Sequence, residues 1–387
     1  MGVYRLSGRV DSGNAAAWEA ELQAVAAENT AEGLVLDAEE LDYISSAGLR
    51  VLLRLRKAMP SLRVIHVQPA VYETLEVTGF TELLEVEKAL RRVSVEGCPM
   101  IGQGAHGSVY RVAPDAVVKV YRPDISLKAI RRERELSRWA FVRGIPTAIP
   151  YDTVRVGEQY GAMYELLDAE NASDYVRASA EHLDRFIRQS VSLMKQTHAV
   201  EVKPGELPDM KTLMLGWAER LRHKLPDGQW ERLRRLLEAV PDSHTLLHAD
   251  FHLKNMMVCD GELMLIDMDT LCAGDPIFEL SSIYNSYREF PDIDPAAAAF
   301  LGIDVETAER IWSGTLAEYY KDADAQTRRA AEEKSRLFGC VRIVDFMERG
   351  GPPEVRERAI RHCIKDISEL LSRDSGKISP QMCHQRD

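Results

Sequence analysis

A group of polar side chains between His248 and Asp267 has the residue types that phosphoryl transfer requires. The stretch reads HADFHLKNMMVCDGELMLID. The Asp250 carboxylate could accept or orient the proton of an attacking hydroxyl, while Asn255 and Asp267 offer the hard oxygen ligands that Mg²⁺ prefers. Asp250 and Asn255 are close enough for one tight loop, and the apolar run at 263–266 predicts a buried strand that ends at Asp267. We therefore expect the three side chains to meet at one metal ion.

The same residues also have a simpler interpretation. Taken singly, Asp250 and Asn255 are typical polar loop residues, and Asp267 could cap the end of a strand. A short motif of this kind indicates a function only when its partners occur elsewhere in the chain. The functional interpretation therefore depends on the residues that precede His248.

A glycine-rich segment lies upstream. Gly102, Gly104 and Gly107 belong to the pattern G-x-G-x-x-G-x-V, which also occurs in dinucleotide-binding folds. A dinucleotide-binding fold requires a helix after the glycines, whereas residues 108–112 alternate like a strand and a turn follows at 113–115. The segment therefore predicts a glycine-rich hairpin.

The next predicted strand, residues 117–121, carries Lys119 at a position where a lysine could pair with nucleotide phosphates. Without the glycines, an ordinary solvated lysine would be the better interpretation. A helix that begins near Ser126 then offers two acidic partners, Glu133 and Glu135. Because residues two apart on a helix point in different directions, only one of the two glutamates can face Lys119.

In this order, the glycine loop, strand lysine, helix glutamate, H-x-D-x-x-x-x-N loop and I-D pair resemble the aminoglycoside phosphotransferase and choline kinase branch of the protein-kinase-like fold. The likeness extends from about residue 95 to 370. Residues 266–269 read IDMD where ordinary protein kinases have Asp-Phe-Gly, and the segment Gly-Asp-Pro follows at 274–276. Two departures are small: Ala249 replaces a usual glycine, and Glu279 stands where an aspartate is common.

The resemblance implies an ATP- and Mg²⁺-dependent kinase with defined roles for the reacting residues. Asp250 would be the catalytic aspartate, and Asn255 and Asp267 would be the metal ligands. In aminoglycoside phosphotransferases a Glu-Arg-Glu segment supplies the partner of the strand lysine through its second glutamate. The resemblance therefore favours Glu135 over Glu133 as the partner of Lys119.

The remaining nucleotide contacts also follow from the resemblance. The three glycines would cover the phosphates that Lys119 and Glu135 hold. The segment 160–167 would be the hinge between two lobes, where the backbone carbonyl of Tyr164 and the backbone amide of Leu166 would contact the adenine edge.

The N-terminal part of the chain has a different character. Apolar strand-like segments at 3–6, 33–37 and 62–67 alternate with helical stretches, which predicts a small α/β domain. Within it, residues 43–53 (YISSAGLRVLL) resemble the signature loop and helix of STAS domains, the fold of anti-sigma-factor antagonists. The resemblance covers residues 1–92 and implies a regulatory module, with an anti-sigma factor or another STAS-binding protein as a partner.

A serine pair in this loop allows two interpretations. Many antagonists carry Asp-Ser-Ser-Gly or Asp-Ser-Thr-Gly here, with phosphorylation of one hydroxyl residue. In this chain Ser45 occupies the place of the aspartate and Ala47 precedes Gly48, so Ser46 is the candidate phosphoacceptor. Serines at the start of a helix also cap its free backbone amides. A capping role is the alternative.

The predicted fold is thus an α/β STAS domain followed by an α+β bilobal protein-kinase-like domain. We expect the STAS domain at 1–92, the kinase-like N-lobe at 93–165, a largely helical C-lobe at 166–372 and a mobile tail at 373–387. Frequent acidic residues in the C-lobe would suit a cationic acceptor, although a solvated acidic surface is the better interpretation.

Composition excludes several classes of protein. The chain has 387 residues, a net charge of −12 and a pI near 5.4, which disfavours nucleic acid as a partner. No apolar run approaches the roughly 20 residues that span a bilayer, and no signal peptide precedes the first strand, so we expect a cytoplasmic protein without membrane contact. The six cysteines lack metal-ligand spacing, which predicts reduced, structural thiols.

Three functions remain open. The first is an ATP-dependent kinase that phosphorylates a hydroxyl of a small molecule, with STAS as a regulatory module. The second is a serine kinase that acts on its own or a partner's STAS domain in sigma-factor partner switching. The third is a nucleotide-sensing scaffold without turnover, which the complete set of catalytic residues disfavours.

Overall fold

The computed structural model describes residues 2–28, 33–104 and 106–373. Contacts divide the chain into two units, Met1–Val95 with Thr153–Tyr160 and Glu96–Asp152 with Gly161–Asp387. The predicted boundaries differ from this division, since residues 153–160 had been expected in the N-lobe. Of the expected mobile tail, only Arg373 is described, as the end of the last helix, and residues 374–387 lie outside the described part.

A parallel β-sheet forms the centre of the first unit. Its strand order is β1-β2-β3-β4, and all neighbours run parallel. The crossovers that parallel strands require are helical here. The elements are β1 Gly2–Val10, α1 Ala15–Glu28, β2 Leu34–Ile44, α2 Ser46–Ala58, β3 Arg63–Val67, α3 Pro69–Val77, α4 Phe80–Leu83, β4 Glu85–Lys88 and β5 Arg91–Arg92. Apolar side chains of strands and helices share one core, which confirms the expected α/β domain.

Residues 153–160 group with the first unit because their strand pairs with β5. That strand, β9, follows β6 Met100–Gly104, β7 Gly107–Ala113, β8 Ala116–Tyr121 and α5 Leu127–Val142, and it spans Pro150–Val156. Arg91 and Arg92 of β5 lie opposite Val154 and Arg155 in parallel pairing. The backbone amide of Val93 donates to the carbonyl of Arg155 at 2.9 Å.

An antiparallel sheet in the second unit holds the predicted glycine-rich hairpin. β8 lies between β7 and β10, which spans Gln159–Glu165, and β7 pairs with β6. Gly107 lies where the hairpin crosses β8, and a Cβ there would be 2.0 Å from the carbonyl oxygen of Val120. Only glycine fits this position, so the pairing of β7 with β8 requires the third glycine of the pattern.

The rest of the second unit is largely helical, as predicted. Its short strands are β11 Ala169–Asn171, β12 Leu246–Leu247, β13 Met256–Cys259, β14 Glu262–Leu265 and β15 Cys272–Ala273. Its helices are α6 Ala172–Ala178, α7 Ala180–His198, α8 Met210–Ala218, α9 Gln229–Glu238, α10 Pro276–Tyr284, α11 Phe290–Ile293, α12 Ala296–Phe300, α13 Val305–Tyr319, α14 Ala325–Gly350 and α15 Pro353–Arg373. A π-helical turn, Asn285–Glu289, joins α10 to α11.

Helices and short strands of this unit enclose one extensive apolar core. Asp267 lies two residues after the end of the second strand of the β13–β14 hairpin, and β12 leads directly into the segment that carries Asp250. Within the described ranges, no helix combines the length and the apolar character needed to cross a membrane.

Candidate active site

A buried carboxylate holds the loop that precedes Asp250. Glu279 of α10 is 0% exposed and accepts hydrogen bonds from the backbone amides of His248 at 2.7 Å and Ala249 at 2.9 Å. The Thr270 hydroxyl donates to the His248 carbonyl, and the Ser282 hydroxyl donates to the Ala249 carbonyl. The peptide groups before Asp250 are therefore fixed on both sides, and Glu279 acts through the backbone of the loop.

We expect Glu279→Gln to lower the free energy of unfolding by about 2 kcal/mol, since a neutral amide can accept only one of the two bonds and turns a donor toward the other amide. Chemical denaturation of the full chain would measure the change. Glu262→Gln, at an exposed position of β14, is the matched control and should change the stability by less than about 0.5 kcal/mol. Equal effects of the two substitutions would contradict the role of Glu279.

Ala249 adopts a left-handed backbone conformation with φ of 63°. This explains why glycine is usual at this position in the resembling family. The conformation costs an L-residue about 1–2 kcal/mol, whereas glycine loses about 0.5–1 kcal/mol more chain entropy on folding. We therefore expect Ala249→Gly to stabilise the protein by about 0.5–1 kcal/mol, measured by denaturation. Ala317→Gly, on an exposed face of α13, should have the opposite sign.

Asp250 is held by its neighbours in the same loop. The side-chain Nδ2 of Asn255 donates to Asp250 Oδ2 at 2.7 Å and to the Asp250 carbonyl at 2.9 Å. The Nε2 of His252 lies 3.3 Å from the same Oδ2. Burial would raise the pKa of Asp250, but the hydrogen bond and charge of His252 lower it well below its usual value. Asp250 is therefore an ionised hydrogen-bond acceptor at neutral pH.

His252 was not among the residues singled out from the sequence. Its position two residues after Asp250, in the same loop, is the signal that could have identified it. Its ring contributes a positive or hydrogen-bonding group beside the carboxylate. It therefore belongs to the site as a positioning residue for Asp250.

Lys119 lies between two carboxylates. Its Nζ is 2.8 Å from Glu133 Oε1 and 3.2 Å from Asp267 Oδ1. Burial would lower the pKa of Lys119, but the charges of Asp267 and Glu133 raise it above its usual value. The lysine therefore stays protonated and joins the helix α5 to the end of the β13–β14 hairpin.

The expected pairing of Lys119 with Glu135 is wrong. Glu133 is buried and contacts the lysine, whereas Glu135 is exposed. The helix phase explains the difference, because Glu133 lies on the stripe of α5 that is buried, together with Ile130, Ser137 and Ala140. This i, i+3, i+7 spacing was present in the sequence and could have identified Glu133.

Two tyrosines also lie near Glu133, and the sequence did not single them out for this role. Burial raises the pKa of Tyr164 to about 12, with the charge of Glu133 adding to the effect. Burial likewise raises the pKa of Tyr121, and Tyr164 and Glu133 add to it. The buried Glu133 is thus in contact with the Lys119 ammonium group and lies near two tyrosine hydroxyl groups.

Asp267 follows β14 in a left-handed conformation with φ of 64° and ψ of 71°. Such strained backbone in non-glycine residues is concentrated at functional sites. Asp269 lies close by, and burial raises its pKa to about 7, with Asp267, Glu133 and Asp250 adding to the effect. Lys119 contacts Asp267 at 3.2 Å, and the backbone amide of Ile266 donates to the Asn255 carbonyl at 2.9 Å, so the two halves of the predicted site meet at the end of β14.

The expected adenine contact through Leu166 is contradicted. Its backbone amide donates to the carbonyl of Asp115 at 2.9 Å, so it is not free for a ligand. Tyr164 lies opposite Val117 in the antiparallel pairing of β10 with β8, which makes its backbone part of the sheet rather than of an open linker. Strand β10 ends at Glu165, so the expected change from strand to linker occurs at Leu166, but the Leu166 amide is already bonded to Asp115.

The glycines lie on the predicted hairpin. Gly102 is opposite Val109 and Gly104 is opposite Gly107, on either side of the tip. At the tip, the Nδ1 of His106 is 4.0 Å from Asp269 Oδ2. The hairpin tip therefore approaches the carboxylates of the site.

In the first unit, the two serines have different roles. Ser45 is the N-cap of α2, and its side chain accepts a hydrogen bond from the backbone amide of Gly48 at 3.4 Å. Ser46 is the first residue of the helix and is exposed. The capping interpretation therefore applies to Ser45 and leaves the Ser46 hydroxyl accessible.

Family models match both parts of the chain. The model of the phosphotransferase enzyme family matches residues 98–333, and the STAS domain model matches residues 1–93. The anti-sigma factor antagonist BtrV of Bordetella bronchiseptica is 42% identical over 90 residues, which are 22% of this chain and 77% of that protein. These matches confirm the resemblance of the N-terminal part to STAS domains.

Solved structures that match this chain include an ADP-bound aminoglycoside phosphotransferase, APH(2'')-Ib. It is 20% identical, with 78% of this chain and 96% of that chain covered and a TM-score of 0.44. A choline/ethanolamine kinase family protein from Mesorhizobium loti is 12% identical, with 71% and 91% covered and a TM-score of 0.45.

The match of the phosphotransferase family model extends over more than half of the chain, from the glycine hairpin through Lys119 and Asp250 to Asp267 and beyond. These are the residues that the structure brings together. The chain therefore belongs to the phosphotransferase enzyme family and carries an N-terminal STAS domain.

Proposed function

We propose that this protein transfers the γ-phosphoryl group of ATP to a hydroxyl group of a small molecule and that its STAS domain is a regulatory module. The observation that supports this most strongly is the convergence of Lys119, Glu133 and Asp267 with Asp250 and Asn255. A protonated lysine, an ionised acceptor and hard oxygen ligands are the groups that phosphoryl transfer requires.

Asp250 would orient the acceptor. Because its carboxylate is ionised and fixed by Asn255 and His252, it can accept a hydrogen bond from the acceptor hydroxyl and take its proton as the new bond to phosphorus forms. Lys119 would contact the nucleotide phosphates, and Glu133 would keep the lysine in place. The glycine hairpin would exclude water from the phosphates.

The residues present also fit a magnesium ion. Both groups that the Asn255 Nδ2 contacts are acceptors, so the amide orientation is unambiguous and Oδ1 is left as an oxygen ligand. Asp267 supplies a carboxylate oxygen at the end of β14. When bound there, Mg²⁺ would neutralise charge on the transferring phosphoryl group.

A screen of acceptors tests this proposal. Sugars, amino alcohols and aminoglycosides would be incubated with Mg-ATP and the purified full chain, and ADP release and phosphorylated product would be measured. We expect at least one acceptor whose phosphorylation depends on Asp250. ATP binding without turnover on any acceptor would instead favour the nucleotide-sensing scaffold.

The exposed hydroxyl of Ser46 favours a second candidate function, a serine kinase that acts on its own or a partner's STAS domain. An anti-sigma factor would then be the partner whose binding the phosphate changes. A phosphate on Ser46 would meet the positive end of α2. Incubation with Mg-ATP followed by mass spectrometry would detect it, and Ser46→Ala keeps the Ser45 cap intact as the control. Absence of phosphate on Ser46 and on candidate partner STAS domains would contradict this function.

A further inference from the structure

A buried group of metal-binding side chains lies in the second unit outside the catalytic loop. Glu289, Cys340 and Cys363 are each 0% exposed. One donor atom from each, a carboxylate oxygen and two thiol sulfurs, lies within 4.8 Å of the others. The residues are too far apart in the sequence to form a recognisable metal motif, which is why the cysteines were expected to be structural thiols.

Three elements bring these side chains together. Glu289 is the last residue of the π-helical turn, while Cys340 and Cys363 lie within α14 and α15. The turn is packed tightly onto α14, since the side chain of Asn285 donates to the Gly339 carbonyl at 3.0 Å and a Cβ at Gly339 would be 2.1 Å from Asn285 Oδ1. π-Helical turns are rare and often mark functional sites.

The distances suit a tetrahedral ion. Glu289 Oε1 is 3.2 Å from Cys340 Sγ and 4.0 Å from Cys363 Sγ. The Nε2 of His362, one residue before Cys363, is 3.2 Å from the same oxygen. With Zn–S bonds of about 2.3 Å and Zn–N or Zn–O bonds of about 2.0 Å, the ligand atoms of a tetrahedral zinc site are about 3.3–3.8 Å apart. The observed distances bracket this range.

The carboxylate is also incompletely satisfied. Glu289 Oε2 is buried and has no hydrogen-bond partner, and the nearest cation is the Arg336 Nε at 4.0 Å. A buried carboxylate with an unpartnered oxygen is costly, and an ion bound at Oε1, the oxygen that the two thiols contact, would neutralise the charge that both oxygens share.

We propose that Glu289, Cys340 and Cys363 bind one zinc ion. Two thiols select zinc over the hard cations Mg²⁺ and Ca²⁺. On binding, each thiol sulfur forms a bond to the ion and its proton passes to solvent. Through these three protein ligands the ion would join the π-helical turn to α14 and α15.

Cobalt is a spectroscopic probe for the site. The reduced, metal-free full chain would be titrated with Co²⁺, and we expect one equivalent to give thiolate charge-transfer bands and the visible bands of a tetrahedral ion. Addition of zinc should displace the cobalt and remove both kinds of absorption band. Cys340→Ser and Cys363→Ser should abolish the charge-transfer bands and weaken zinc binding at least about 100-fold. Cys98→Ser and Cys259→Ser, at cysteines outside the group, should leave both unchanged.

A second measurement needs no variant and therefore does not depend on how well the serine variants fold. X-ray absorption of the zinc-loaded wild-type chain should show two sulfur ligands at about 2.3 Å and lighter ligands at about 2.0 Å. A shell of nitrogen and oxygen alone would overturn the proposal. It would place the ion on one of the two other groups of potential ligands in the described residues, Glu289 with His362 and Asp366 or Asp37 with Glu39 and His66. Absence of stoichiometric zinc binding, or a disulfide between Cys340 and Cys363, would overturn it as well.

Discussion

Asp250→Asn is expected to lower kcat about 10²- to 10⁴-fold, because the substitution removes the acceptor for the proton of the attacking hydroxyl. The asparagine keeps a side-chain oxygen that can accept the hydrogen bond from Asn255 Nδ2, so the loop should keep its shape. The rate would be measured with any acceptor found in the screen, or as hydrolysis of Mg-ATP with water as the acceptor. Nucleotide affinity, measured by calorimetry, should change little.

The matched control is Asp260→Asn. Asp260 is exposed in the turn between β13 and β14, and its φ of 50° is a conformation that asparagine tolerates well. It makes the same chemical change close to the same loop, and kcat should stay at the wild-type value. If Asp250→Asn kept more than about a tenth of the wild-type rate, Asp250 would not be the group that handles the proton.

The second large effect is expected at Glu133. Glu133→Gln should lower kcat/KM about 10- to 100-fold, since a charge-assisted hydrogen bond of about 1.5–3 kcal/mol to Lys119 is lost. Lys119 would then pair more strongly with Asp267, at 3.2 Å in the present structure, and compete with the metal ion for that carboxylate. We therefore expect the Mg²⁺ concentration for half-maximal activity to rise as well, which a general loss of stability would not cause.

Glu135→Gln provides the control on the same helix. Its side chain is exposed, so kcat/KM and the magnesium requirement should remain unchanged. The comparison is decisive because the family resemblance favoured Glu135, whereas the structure pairs Lys119 with Glu133. A larger effect of the Glu135 substitution would show that the lysine changes its partner when nucleotide binds.

The reacting residues were predictable because each is fixed by local sequence. Asp250 and Asn255 lie within one loop, and Asp267 follows directly on a strand that its apolar run identifies. The choice between Glu133 and Glu135 depended on which face of α5 is buried. The spacing of the buried residues in the sequence indicates Glu133, but the family resemblance favoured Glu135. The role of Glu279 in holding the loop could not be predicted, because its carboxylate bonds to the amide of His248, 31 positions away in the sequence, and no local pattern shows such a contact.

The expected contact of the Leu166 amide with adenine is contradicted for a similar reason. The sequence of residues 160–167 indicates a strand and its end, but it does not indicate which backbone groups another strand occupies. The carbonyl of Asp115 takes the Leu166 amide only because the turn after β7 returns beside β10. Likewise, the meeting of Glu289 with Cys340 and Cys363 arises from helix packing and has no counterpart in residue spacing.

The pairing of β5 with β9 affects how the protein can be divided for experiments. A shortened chain that begins at residue 96 would retain the residues of the phosphotransferase site but would lose Arg91 and Arg92. Residues 154 and 155 would then offer unpaired backbone groups at a sheet edge, and such edges recruit strands from other molecules. Poor solubility of that shortened chain would therefore reflect an exposed edge, and a proteolytic fragment that keeps residues 91–93 should behave better.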